Sequence, residues 1–281
     1  MSFAGTWLVR EYVFDAEGAL LGTVRQRRAL ERLDDHRLRL TQDCTPDTSL
    51  ADHPMSTFAG THVFDLALEG TRRRYLGPAV IGVGQSLGET AMWGEGVWPE
   101  FGHAFQSYAF SGQDKQLTGG RFADGSTLVA QIAGIARPDT GGPWPELTGP
   151  FAPAEVASHW QGDRTVFHPS GSPLERESIQ RVYEGDSWRE QASSGTRGAE
   201  LTLRDRRLLA RVEEPTGLLQ GVSRRYGWLL EHDWAGPTGS HVRGFEALDA
   251  AGAEIMAIYR RYQDQQLERI EVLHLRPQET T

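Results

Sequence analysis

The chain has 281 residues, with 29 basic and 38 acidic side chains and a formal charge of -9. That length allows one large or two small domains with a real core and needs no disulfide or metal staple. The acidic balance excludes the broad basic patch that a nucleic-acid-binding surface requires.

Arginine carries nearly all the positive charge, because Lys115 is the only lysine, and asparagine is absent. Lysine and asparagine have A-rich codons, so their scarcity points to a GC-rich bacterial gene. A single cysteine, Cys44, permits no internal disulfide and gives no sign of an oxidising compartment. The opening MSFAGTWLVREYVF has neither a basic start nor a long apolar run, so no signal peptide is expected. The most apolar stretch, 127–136, falls short of the ~20 residues that cross a bilayer. The expected compartment is the cytoplasm, and no membrane partner is expected.

Taken in chain order, the sequence reads as short strands. Trp7 to Phe14 leads into a DAEG turn. Residues 36–40 alternate polar and apolar, and His62, Phe64, Leu66 and Leu68 share one face of a strand. The glycine-rich GVGQSLGE at Gly82 lacks the lysine and the following helix of a phosphate loop. Next comes Met92 to Phe110, with two Trp, three Phe, one Tyr, two Glu and one His. Residues 138–155 hold five prolines and three glycines and read as a domain linker. Residues 153–159 are predicted as a short helix with Pro153 in its first turn. A second aromatic segment, Tyr226 to His241, precedes a clean alternation over Leu267 to Leu275. Turn signals recur about every ten residues, as in all-β sandwiches and barrels.

The chain also repeats itself. Trp7/Trp160, Val13/Val166, Phe14/Phe167, Gly18/Gly171, Leu21/Leu174 and Arg28/Arg181 are each 153 positions apart. Further on, Trp93 pairs with Trp228 and Phe110 with Phe245 at an offset of 135. The predicted organisation is an N-terminal β-barrel over 1–138, a linker over 139–154 and a C-terminal β-barrel over 155–281. With about eight strand candidates per copy, the fold class is all-β: two tandem antiparallel up-and-down barrels from internal duplication.

Gly5-Thr6-Trp7, entering the first strand, resembles the opening of the lipocalin and wider calycin group; the second copy, His159-Trp160-Gln161-Gly162, lacks the preceding glycine. A tandem pair of such barrels resembles lipocalin-like bacterial proteins that include carotenoid hydratases and some pericyclic cyclases. The resemblance implies a tryptophan closing each barrel floor and a lumen able to hold a small hydrophobic molecule. No catalytic motif is carried over from it.

The residues themselves supply candidates. Trp93, Trp98, Phe105, Tyr108, Trp228 and Trp234 are candidate ligand-binding residues, since aromatic faces line apolar cavities. Glu95, His103, His232 and Asp233 are the candidate acid–base groups. His232 and Asp233, adjacent on a strand, point to opposite faces unless a bulge intervenes. Arg72-Arg73-Arg74 and Arg224-Arg225 read as a solvated face or, more sharply, as a site for a ligand carboxylate. Nine scattered histidines without His-x-His or HExxH spacing indicate no metal site, and no cofactor is expected. The readings are a binder of a small hydrophobic or aromatic ligand, a cofactor-independent hydratase, isomerase or cyclase, and a solid-packed structural protein.

Overall fold

The computed structural model describes residues 3–77, 79–99, 101–112, 114–146, 149–204, 207–249, 251 and 253–278. The chain divides into two compact units, 1–147 and 148–281. Each is a closed antiparallel barrel in which every strand pairs with its neighbours in sequence and the last pairs with the first.

The N-terminal barrel comprises β1 (Gly5–Phe14), β2 (Leu20–Arg32), β3 (Arg37–Pro46), β4 (Gly60–Glu69), β5 (Arg72–Tyr75), β6 (Ile81–Leu87), β7 (Ala91–Trp98), β8 (His103–Ser111), β9 (Gln116–Asp124) and β10 (Thr127–Pro138). A four-residue helix, α1 (Pro153–Val156), leads into the C-terminal barrel. That barrel comprises β11 (His159–Phe167), β12 (Pro173–Glu184), β13 (Ser187–Ala192), β14 (Gly195–Arg204), β15 (Arg207–Glu214), β16 (Gly217–Tyr226), β17 (Leu229–Ala235), β18 (Ser240–Asp249), β19 (Glu254–Gln263) and β20 (Gln266–Pro277).

Ten strands, not eight, close each barrel. The count from turn signals fell short at the short strands. β5 has only four residues, and the glycine-rich β6 shows little apolar alternation. The extra strands matter, because diameter grows with strand number and a ten-stranded lumen is wider than one that side chains just fill.

The two barrels match in detail at their first strands. Trp7 lies opposite Arg28 and Pro138, and Trp160 lies opposite Arg181 and Pro277. The indole Nε1 of Trp7 donates to the Ala4 carbonyl (3.3 Å), and that of Trp160 to the Ala157 carbonyl (2.7 Å). Both first hairpins carry a bulge, at Val13/Phe14 and at Val166/Phe167. Both turns place a glycine at positive φ, +82° at Gly18 and +87° at Gly171, a region open to glycine without strain. Even the cap is reproduced with different chemistry: Asp15 Oδ1 accepts from the Glu17 amide, and His168 Nδ1 from the Ser170 amide.

The registers also correct the second half of the sequence match. Thr90 accepts the Ser111 amide as Trp228 accepts the Leu248 amide. Thr90, not Trp93, is therefore the counterpart of Trp228, and Trp93 corresponds to Glu231. By the same register Phe110 corresponds to Ala247 and not to Phe245. Matching on aromatics slipped by three positions at Trp93 and by two at Phe110, because the aromatics moved while the strands stayed.

The proline-rich segment between the barrels is anchored to each unit by its own end. Asp139 accepts from Arg27 (2.8 Å) and Glu146 from Arg10 (3.3 Å). Phe151 is buried in the core of the C-terminal barrel, and its amide donates to the Gly227 carbonyl.

Candidate functional site

The lumen of the N-terminal barrel holds a cavity of about 210 Å³. Period-two alternation decides what lines it. On β7 and β8 the inward positions are Met92, Gly94 and Trp98, then Phe105, Ser107 and Ala109. Phe64 and Leu66 of β4 and Phe122 of β9 add apolar wall.

One end is covered by residues 47–59, which join β3 to β4 through two short 3-10 turns, Thr48–Leu50 and Pro54–Phe58. His53 fixes the second turn: its Nδ1 accepts the Met55 amide (3.1 Å), and its Nε2 lies 3.3 Å from the Val129 carbonyl. Met55 and Phe58 reach the cavity from this cover. Phe58 meets Trp98 edge-on at 4.5 Å, and Trp98 meets Phe64 at 5.3 Å, the geometry aromatic quadrupoles prefer. In the other barrel only Ser193 and Ser194 join β13 to β14, so it has no such cover.

The barrel registers explain the empty volume. Gly94, Ala109 and Gly120 occupy the positions that hold His232, Glu246 and Tyr259 in the C-terminal barrel. Three residues with almost no side chain stand where the second copy has three large polar ones.

In that second copy the large side chains fill the lumen with a connected network. Arg181 donates to Glu190 (2.7 Å), Glu246 (3.0 Å) and the Tyr183 hydroxyl (3.0 Å). Tyr259 also donates to Glu246, and His232 Nε2 lies 3.4 Å from the same carboxylate. Ser223 Oγ bridges His232 Nδ1 (2.8 Å) and the Trp234 indole (3.2 Å). Burial by itself would raise the Glu246 carboxyl, but Arg181, His232 and Tyr259 bring it down to about 2. Burial and the neighbouring Glu246 push the Tyr259 hydroxyl well above its usual value. These groups are locked into the charge states that hold the network together.

The polar side of the N-terminal cavity is built from β1, β2 and β3. Glu11 accepts from Gln26 Nε2 (2.5 Å) and Arg28 Nη2 (3.2 Å), and Gln42 donates to Gln26 (3.2 Å). Burial raises the Glu11 carboxyl, and Arg28 and Gln26 reverse only part of that. Burial likewise pushes the Cys44 thiol up to about 12, with Glu11 adding to it, so Cys44 is an inert wall residue. Arg28 keeps its counterpart in Arg181, but the carboxylates have moved. Position 11 is Arg164 in the second copy, and Gln42 corresponds to Glu190.

The candidates named from sequence fall in several places. Trp98 and Phe105 face the cavity, whereas Trp93 and Tyr108 border it from the opposite face of their strands. Glu95, on the same face as Trp93, and His103, at the start of β8, do not line it. His232 and Trp234 sit inside the filled barrel, and Trp228 is buried just before β17. No bulge interrupts β17, so Asp233 points away from His232 and meets His241 at 2.5 Å. Sequence reasoning missed Glu11, Gln26, Arg28 and Tyr75. Their signal was a polar residue on the apolar face of an alternating strand, as at Glu11 between Val9 and Val13. Of the arginine cluster, Arg73 is buried against the cavity, while Arg72 and Arg74 are exposed.

A groove of about 420 Å³ marks the wall of the C-terminal barrel. It is lined by Arg189, Arg211, Glu200 and Glu213 and offers little apolar surface. Among the described residues, no cluster of three His, Cys, Asp or Glu could hold a metal ion. No described helix is long and apolar enough to cross a membrane.

Two closed ten-stranded meanders in one chain, one lumen open and the other filled, define a tandem β-barrel protein. No family model matches the chain, and no curated protein matches it either. It is similar in structure to a protein of unknown function from the DUF3598 family of Nostoc punctiforme. That match has 14% identity and a TM-score of 0.65, covering 99% of this chain and 97% of that one. The likeness shows a shared fold and no more. Two weaker matches carry no argument. A provisionally assigned outer membrane protein of Bacteroides fragilis has 7% identity and a TM-score of 0.26, covering 98% of this chain and 97% of its own. Kievitone hydratase from Nectria haematococca has 8% identity and a TM-score of 0.23, covering 98% and 90%.

Proposed function

We propose that the N-terminal barrel binds a small, largely apolar or aromatic molecule in its lumen. The observation that carries this reading is the exchange of three bulky lumen residues of the second copy for Gly94, Ala109 and Gly120. It leaves an aromatic-walled cavity where the same fold otherwise fills itself. In this reading the C-terminal barrel is a structural partner without a ligand of its own. The protein works in the bacterial cytoplasm, without cofactor, nucleic acid or membrane. The charge of -9 speaks against a nucleic-acid surface, and the wall pattern against a membrane: on β15 Leu208, Ala210 and Val212 face inward, and of the outward Arg207, Leu209, Arg211 and Glu213 three are charged, unlike the apolar outer band of a membrane barrel.

The alternative, an acid–base enzyme, has Glu11 as the one carboxyl lining the cavity among the described residues. Its oxygens already accept from Gln26 and Arg28, which favours a fixed wall residue over a proton donor.

Titration with N-phenylnaphthylamine, a neutral fluorophore that brightens in apolar surroundings, tests the reading. The expected result is saturable binding of one molecule per chain. Ala109→Met restores bulk at the Glu246 position and should weaken that binding about tenfold or more, because a filled lumen excludes the ring. Absence of saturable binding, or equal binding by Ala109→Met, overturns it.

A further inference from the structure

We propose that the N-terminal cavity selects a ligand bearing a carboxylate on an apolar body, and that Arg73 is the residue that reads the carboxylate. The inference rests on the cavity being a binding site and adds the chemical class of its occupant.

Arg73 is 4% exposed. One nitrogen, Nη1, lies 3.1 Å from the thioether of Met92, and the guanidinium carbon sits 5.8 Å from the Phe3 ring centroid. Nε and Nη2 have no hydrogen-bond partner, and no carboxylate lies within ion-pair distance, among the described residues. Burial opposes its charge, yet a guanidinium does not deprotonate in a protein. A buried cation without an anion is an expensive arrangement, and removing one partner from a buried pair is what ordinarily creates it. A ligand carboxylate would supply the missing partner, and the two free N–H groups suit its planar, two-oxygen geometry.

The second copy shows that the fold does not ask for an arginine here. Arg73 lies opposite Gly84, and Gly84 opposite Gly94. The corresponding series is Leu208, Ser223 and His232. The second copy thus holds a buried leucine at this position. The cation is particular to the barrel with the cavity.

The second copy also shows where an anion fits. Its Glu246 carboxylate is held wholly buried in the lumen by Arg181, the counterpart of Arg28. In the first copy that position is Ala109, directly across the strand pair from Met92, the residue Arg73 touches. The volume vacated by the internal carboxylate therefore opens beside Arg73. Glu11 is the one acidic residue lining the cavity among the described residues. It is engaged by Arg28 and leaves Arg73 unneutralised.

Displacement of N-phenylnaphthylamine from the full chain by a matched pair, phenylbutyrate and phenylbutanol, tests this at neutral pH. The acid is expected to displace the fluorophore at a concentration at least about tenfold below the alcohol, the scale of a charge-assisted hydrogen bond. In Arg73→Leu, the residue the second copy carries, the acid-to-alcohol ratio should fall to about one, with folding checked by circular dichroism. Equal potency in the unmodified chain, or displacement by neither compound, overturns the assignment and leaves the cavity reading standing. So does an acid preference that persists in Arg73→Leu. The cavity reading falls separately, if the fluorophore itself does not bind. Because the unmodified chain alone can overturn the proposal, a variant that fails to fold does not shelter it.

Discussion

Arg181→Ala should destabilise the C-terminal barrel by about 3–5 kcal/mol, the range for removing one partner of a buried ion pair. Arg181 is 1% exposed and answers two carboxylates at once, Glu190 and Glu246, themselves 1% and 0% exposed. Its guanidinium also lies over the Trp188 ring at 4.2 Å. Truncation strands the fully buried Glu246 with only the Tyr183 and Tyr259 hydroxyls and the His232 imidazole as neighbours. The desolvation penalty then goes uncompensated, which is why the effect exceeds that of a lost surface pair. Arg28→Ala, at the matching position of the first copy, should be milder. Arg28 and Glu11 are 18% and 14% exposed and border a cavity. Urea denaturation of the full chain, with hydrogen exchange to assign the loss to residues 149–278, measures both. A deficit in Arg181→Ala below that of Arg28→Ala would show that the network is not what holds the second barrel closed. Replacing Arg181, Glu190 and Glu246 together by apolar residues of similar volume should come out far closer to neutral, since no buried charge is then left alone.

The contrast between the two lumens also marks how far the sequence could be read. Fold class followed from alternation and turns, and the doubling followed from Trp7 and Trp160 in one register with Gly18 and Gly171. These signals are local. A first-strand tryptophan, a bulge and a positive-φ glycine each act within a few residues, so they survive divergence in place. The cavity is not local. It exists because Gly94, Ala109 and Gly120, on three strands, replace His232, Glu246 and Tyr259. No window along the chain contains that comparison until strand pairing is known. Of the aromatic-rich stretch from Met92 to Phe110, only the inward half, with Trp98 and Phe105, faces the cavity. Composition could not tell the lumen face from the outer one, because both carry rings. The polar groups that line the cavity escape a sequence window for a related reason. His232 and Asp233 stood out as neighbours in sequence, whereas Glu11, Arg28 and Arg73 come together only across the barrel. An arginine triplet reads as a solvated face, yet alternation sends its middle member inward.

Acid should separate the two barrels, with the C-terminal one failing first. In the unfolded chain the carboxyls of Glu246 and Glu271 titrate near their ordinary 4.5. In the folded chain Glu246 lies at about 2, as the attraction of Arg181 outweighs burial. Glu271 is also held far below its usual range, by Arg261 and Arg197 against the same burial effect. Groups depressed by folding contribute stability that is complete above the unfolded value and lost as pH falls toward the folded one. From about pH 4.5 to 2 the second barrel therefore gives up roughly 3 kcal/mol through Glu246 alone. Glu11 works in the opposite sense. Burial raises its carboxyl, so the folded first barrel takes up that proton before the unfolded chain does. Its contribution is fully present below the unfolded value and lost as pH rises through the folded one. The carboxyls of Asp34, Asp47 and Asp65 in the first barrel also lie below their usual range. Each is exposed or half-buried, so solvent screening keeps its contribution small. Pepsin, active across this window, reports which unit opens. Early cuts should fall within residues 149–278 while 3–146 stay resistant, and the interval between the two should narrow in Arg181→Ala/Glu246→Leu, where the acid-labile pair is gone. Simultaneous cleavage of both barrels, or first cuts in the N-terminal one, would mean that the buried carboxylates do not set the acid limit of this fold.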